Sequence, residues 1–159
     1  MDLNANNTTH IKTLTKVNLF KDIKPNSFIK DLSPGKKLIN IIFIILERKK
    51  IYKLKNEQNI YPFLVADTTG SVVCNFYDEL GQSMKEGDIV YVHSAYASIY
   101  KNSLCLYTPK LDHGTIIKLD EFFFNFKEEP NHSNYTWIKS GDSYIIDNSN
   151  NSNIYIVKD

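Results

Sequence analysis

Tyr96-Ala-Ser-Ile-Tyr-Lys-Asn-Ser-Leu-Cys-Leu-Tyr107 reads as a β-hairpin that reverses at Lys101-Asn102. Side chains alternate between the two faces of a strand, so Tyr96, Ser98 and Tyr100 point one way and Ala97 and Ile99 the other. Pairing Tyr100 with Ser103 sets Ser98 opposite Cys105 and Tyr96 opposite Tyr107. Three tyrosines then share one face, while Ala97, Ile99, Leu104 and Leu106 share the other. Asn102 suits the reversal because asparagine tolerates positive φ. The aliphatic face is expected to be core, and the tyrosine face to be a platform of flat rings.

Working outward, Glu86-Gly87-Asp88 turns into the strand Ile89–Tyr100, and Asp78–Lys85 is a short helical stretch before it. Ser71–Tyr77 alternates as a strand, entered through the turn Asp67-Thr-Thr-Gly70. Ile60–Ala66 is another strand, with Pro62 near its start or on an edge. Pro34-Gly35 turns into Leu38–Leu46, whose continuous β-branched run implies burial on both faces over part of its length. Between these two strands, Glu47–Lys55 carries Arg48, Lys49, Lys50, Lys53 and Lys55 and reads as a basic loop or hairpin. Five strands with one short helix between the third and fourth is the order of an OB-fold, an all-β, partly open five-stranded barrel. The expected organisation is a flexible basic extension over residues 1–27, the barrel domain over 28–126, and a flexible C-terminal tail over 127–159. Within that domain, Ile116–Phe126 reads as strand or extended edge.

The 159 residues carry a net charge of +1, but the distribution is uneven. Residues 1–55 hold 12 of the 19 Lys and Arg and 4 of the 18 acidic residues, a balance of +8 against −7 for the remainder. That asymmetry points to an anionic partner, although a lysine-rich segment that only aids solubility has the same charge. Ten Tyr and nine Phe exceed what a core of this size needs, and an aromatic sheet face is a surface on which single-stranded nucleic acid stacks. Cys74 and Cys105 sit in strands without C-x-x-C spacing, so they are expected to be reduced and packed. The longest apolar run is too short to span a bilayer, and the N-terminus lacks the apolar core of a signal peptide. A soluble intracellular protein is expected.

Phe28-Ile-Lys-Asp-Leu-Ser-Pro-Gly35, Leu38–Glu47, Val65-Ala-Asp-Thr-Thr-Gly-Ser71, Glu86-Gly-Asp-Ile89, Tyr96-Ala-Ser-Ile-Tyr100 and Leu104-Cys-Leu-Tyr-Thr108 together resemble the single-stranded DNA-binding subunit of the SOSS complex. Members of that family are small eukaryotic proteins with a single OB-fold, and the likeness covers about half the chain. It implies a nuclear role in the DNA damage response and double-strand break repair. It also implies base stacking by Tyr77, Tyr96, Tyr100 and Tyr107. The first of these is usually Trp in the family and the third usually Phe, so both depart conservatively. A basic residue or two expected on the fourth strand is replaced by Tyr91 and Ser94. Lys101 keeps a hairpin lysine, and Lys110 substitutes for an arginine just after the barrel. Glu121-Phe122 matches the acidic-aromatic pair through which the family docks its large scaffold subunit. Arg48, Lys50 and Lys53 are further candidates for phosphate contact, weighed against a merely solvated loop.

No Ser/His/Asp set, paired acid motif or phosphate-cradling glycine loop is present, so no catalytic residue, small-molecule substrate or cofactor is expected. His10, His93, His113 and His132 are scattered, which argues against a metal site. Two further functions remain open: an RNA- or tRNA-binding OB module using the same face, and a protein-interaction OB domain that binds no nucleic acid.

Overall fold

The strand that begins the barrel is half core and half cover. In the computed structural model, which describes residues 11–14, 23–109, 114–119 and 124–148, Ile39–Arg48 forms β2, following β1 at Ile11–Leu14. Ile39, Ile41, Phe43 and Ile45 face inward and are fully buried. On the opposite side Ile42 and Ile44 pack into a second apolar cluster with Ile89, Tyr91, Ile117 and Leu119, joined by Ile23 and Phe124. Burial on both faces therefore has a concrete cause. The strand starts one residue later than its apolar run, because Leu38 takes a left-handed backbone (φ 54°) and is 73% exposed.

Downstream come β3 (Tyr52–Lys53), β4 (Asn59–Asp67), β5 (Gly70–Tyr77), α1 (Asp78–Ser83), β6 (Ile89–Tyr100), β7 (Ser103–Tyr107) and β8 (Thr115–Leu119). Strand β2 pairs antiparallel with β4, β4 with β5, and β7 with β6, while β5 and β7 run parallel. The ring closes because β6 is twelve residues long and serves two neighbours within the ring. Its first half pairs with β2 and its second half with β7. Between the halves Ser94 sits at φ 66°, where the β2 register slips by one residue, and Asn40 Oδ1 accepts a hydrogen bond from the Ser94 N–H at 3.0 Å. Such a bulge bends a strand and increases its twist, letting one strand turn the corner of a small barrel. Five strands closed in a ring around Phe43, Phe63, Phe76, Leu104 and Leu106, with one short helix, make the OB fold. Strand β8 adds to the outside of β6, β1 pairs parallel with β8, and β3 adds to β4.

Pro62 lies where β4 changes partners. Phe63 still pairs with Arg48 of β2 and Ile60 already pairs with Tyr52 of β3, so the missing N–H interrupts no continuous ladder. At the β4–β5 turn the buried Asp67 carboxylate accepts hydrogen bonds from the N–H of Ile29 and Thr69 and the Thr69 hydroxyl, at 2.6–2.8 Å. Asp67 is thus a turn residue that also ties down the segment before β2.

Residues 127–137, read from the sequence as C-terminal tail, pack against the barrel, whereas most of 138–148 is exposed. The N-terminal ends of β5 and β7 diverge, and residues 130–137 fill the gap. Pro130 C=O accepts from Ser71 N–H, Ser133 Oγ bridges Val73 N–H to Leu104 C=O, and Trp137 N–H donates to Asn102 C=O. Trp137 packs against the main core, and the hairpin of β9 (Trp137–Ser140) and β10 (Ser143–Ile146) follows. Gly70 makes the approach possible: a Cβ there would stand 2.5 Å from the Pro130 oxygen, at a φ of 143° that other residues avoid.

Candidate nucleic-acid interface

The hairpin has the register its alternation implies: Tyr96 opposite Tyr107, Ser98 opposite Cys105, Tyr100 opposite Ser103. Lys101 and Asn102 both take positive φ, at 48° and 65°, the two-residue turn whose twist matches the flanking strands. Ala97, Leu104 and Leu106 are buried in the core, and Ile99 packs partly against it.

The tyrosines are organised in pairs. The Tyr96 and Tyr107 rings are parallel, 8° apart in orientation with centroids at 5.1 Å. Tyr77 reaches them from β5, its hydroxyl 2.9 Å from that of Tyr96 in a shared hydrogen bond. Tyr100, nearer the turn, stacks on Tyr52 with centroids at 5.3 Å and 7° between planes, and the Lys101 ammonium lies 5.4 Å from the Tyr100 centroid. Tyr52 is the residue that sequence reasoning missed. Its signal was an aromatic interleaved in the basic stretch Arg48–Lys55, but only the fold of that stretch onto β4 aims the ring at the platform.

Partial burial governs the phenols. It raises the Tyr77 pKa above its ordinary value, helped by the bond to Tyr96, and raises Tyr107 likewise. Tyr52 is pushed up to about 12, first by burial and then by neighbouring Tyr100 and Cys105. These three rings are neutral at physiological pH and add no negative charge against phosphate. Among them, Asn75 is buried opposite Tyr107, and its Nδ2 lacks a hydrogen-bond partner.

The cations are spread more widely. Lys50 is exposed between β2 and β3, and Lys53 forms an exposed ion pair with Glu57 at 3.5 Å. Arg48 instead lies against the Tyr61 and Phe63 rings and directs Nη2 at the Met84 carbonyl, 3.5 Å away. Tyr91 belongs to the second cluster beneath β8, and Ser94 is the bulge residue. Lys110, Glu121 and Phe122 lie outside the described residues; beyond that pair, Phe124 packs on the second cluster and Phe126 is 41% exposed. Both cysteines are free and buried. Among the described residues, no group of His, Cys, Asp and Glu could hold a metal ion, and no helix is long and apolar enough to cross a membrane.

Residues 32–116, just over half of the chain, match the family described as single-stranded DNA binding protein Ssb-like, OB fold. The chain belongs to that family. The matched span includes every strand of the ring and all four platform tyrosines. Ssb-like OB-folds are characteristically binding proteins, and membership carries nucleic-acid binding in general. Among solved structures, the chain is similar to hypothetical protein F20O9.120 from Arabidopsis thaliana, with 19% identity and a TM-score of 0.58 over 76% of this chain and 91% of that one. It is also similar to the replication factor A related protein from Methanobacterium thermoautotrophicum, with 15% identity and a TM-score of 0.50 over 65% and 98%. At these identities the likeness is one of fold.

Proposed function

We propose that this Ssb-like domain coats single-stranded DNA without sequence preference, as the OB-fold subunit of a SOSS-like complex in nuclear DNA damage response and double-strand break repair. The observation that carries the reading is the joined tyrosine face, where Tyr77, Tyr96 and Tyr107 meet edge to edge and face to face beside Tyr100. Rings on a sheet stack with any base, each contributing about 1–3 kcal/mol. Lys101, Lys50, Lys53 and Lys110 are the phosphate contacts in this reading, and Glu121-Phe122 docks the scaffold subunit.

Titration of fluorescent DNA, RNA and duplex probes of one sequence tests it. Single-stranded DNA should bind best, with a log K against log salt slope of about −0.7 per phosphate neutralised. Equal affinity for duplex refutes the platform. A preference for RNA replaces the repair reading with an RNA reader that uses the 2′-OH. For the partner, Glu121→Ala with Phe122→Ala should abolish scaffold capture and leave DNA affinity unchanged; undiminished capture refutes the docking assignment.

A further inference from the structure

The Tyr100 ring is occupied before any ligand reaches it. Tyr52 lies parallel to it with centroids 5.3 Å apart, and Lys101 is over the ring at 5.4 Å. A base held between two parallel rings would separate them by about 6.8 Å, twice the ~3.4 Å stacking rise. No base fits between Tyr52 and Tyr100 as they stand, so a ligand that stacks on the Tyr52-facing side of Tyr100 must move Tyr52.

Tyr52 is lightly held. Strand β3 is two residues long and pairs only with Asn59 and Ile60. It runs into a tight turn in which Leu54 N–H donates to Gln58 C=O at 2.8 Å and Glu57 takes φ 68°. The ring lies close enough to Tyr77, Tyr107 and Cys105 to act on them electrostatically. Asn75 sits amid the same groups. Its amide is directed at the Cys105 thiol and Tyr107 hydroxyl without a hydrogen bond of normal geometry to either. Leaving a buried donor unpaired is costly, and a buried donor without a partner calls for a physical explanation.

We propose that Tyr52 is a gate over a nucleobase slot walled by Tyr100 and floored by Asn75. A base of the bound strand displaces Tyr52, stacks on Tyr100 and accepts a hydrogen bond from Asn75 Nδ2. This rests on the single-strand-binding reading above and adds to it a cost: apparent affinity is the intrinsic affinity multiplied by the fraction of chains already open. An aromatic pair holds that fraction down by about two- to tenfold.

Stopped-flow and equilibrium titration with fluorescent oligothymidylate test the gate. Tyr52→Ala should associate faster and bind about two- to tenfold tighter, whereas Tyr52→Phe, which keeps the stack, should match wild type. Unchanged or weaker binding by Tyr52→Ala, with wild type binding normally, overturns the gate alone. Failure of wild type to bind overturns the binding reading and the gate together. For the floor, an oligonucleotide carrying difluorotoluene in place of thymine keeps the ring's shape and removes its carbonyl acceptors. Wild type should prefer thymine, and folded Asn75→Leu should lose that preference. Equal affinity of wild type for the two oligonucleotides, or a preference that survives in Asn75→Leu, overturns the hydrogen bond.

Discussion

Tyr96 and Tyr107 invite a double-mutant cycle, because the structure makes them one object. With centroids at 5.1 Å and planes within 8°, the two rings cover each other's facing sides and offer a joint shelf to a ligand. Tyr96→Ala or Tyr107→Ala alone should cost about 1–3 kcal/mol of single-stranded DNA binding, roughly fivefold to 150-fold. Each single substitution also removes the partner's support, so the pair of truncations cannot cost the sum. Residues in contact typically couple by about 0.5–3 kcal/mol, and a stacked pair contributes about 0.5–1.5 kcal/mol beyond its burial. The double variant should therefore bind more than about 0.5 kcal/mol tighter than additivity requires. Fluorescence anisotropy on four proteins, each first shown to melt cooperatively, measures the cycle. Additivity within about 0.5 kcal/mol would mean that separate bases meet the two rings independently, and the shelf argument would be wrong. Wild-type affinity in all three variants would mean that the face is unused.

Leu106→Ala, which truncates a fully buried side chain on the opposite face of the same hairpin, should lower stability by about 2–5 kcal/mol in urea titrations while the folded fraction binds normally. Gly70→Ala places a methyl 2.5 Å from the Pro130 oxygen at an unsuitable φ. It should expose the backbone of residues 130–137 to hydrogen exchange, and unchanged protection would refute the wedge. Stability should also fall in alkali: the Tyr52 phenol is raised in the folded state from 10.0 to about 12, with Tyr77 and Tyr107 shifted the same way. Its contribution is fully present below pH 10 and is lost as pH rises towards 12, so urea midpoints should be insensitive to these tyrosines from pH 7 to 9 and decline above 10. Thiol-modifying reagents at pH 8 should leave the folded chain untouched, because burial raises both Cys74 and Cys105; rapid labelling would contradict their packing.

The hairpin was legible because its information is local. A period of two, an Asn at the reversal and aliphatic residues on one face leave a single register, since slipping by one would turn Leu104 and Leu106 to solvent and the tyrosines inward. Ile89–Tyr100 was legible at its full length for the same reason, and the doubly buried β2 from its β-branched run. Local pattern carries no record of which distant strand a loop lies over. Tyr52 stacks on Tyr100 across 48 positions of sequence, Arg48 leaves its basic neighbours to cover Tyr61 and Phe63, and Ser133 bridges β5 to β7 from a stretch with no hydrophobic period. Asn75 alternates outward like any polar strand residue, and only the closed ring buries its amide among tyrosines. Which side chains share a strand face follows from the order of residues alone, because backbone geometry alternates them without reference to anything else. What lies across from each face follows only from barrel closure, where the Ser94 bulge bends β6 and residues far apart in the chain compete for the same surface.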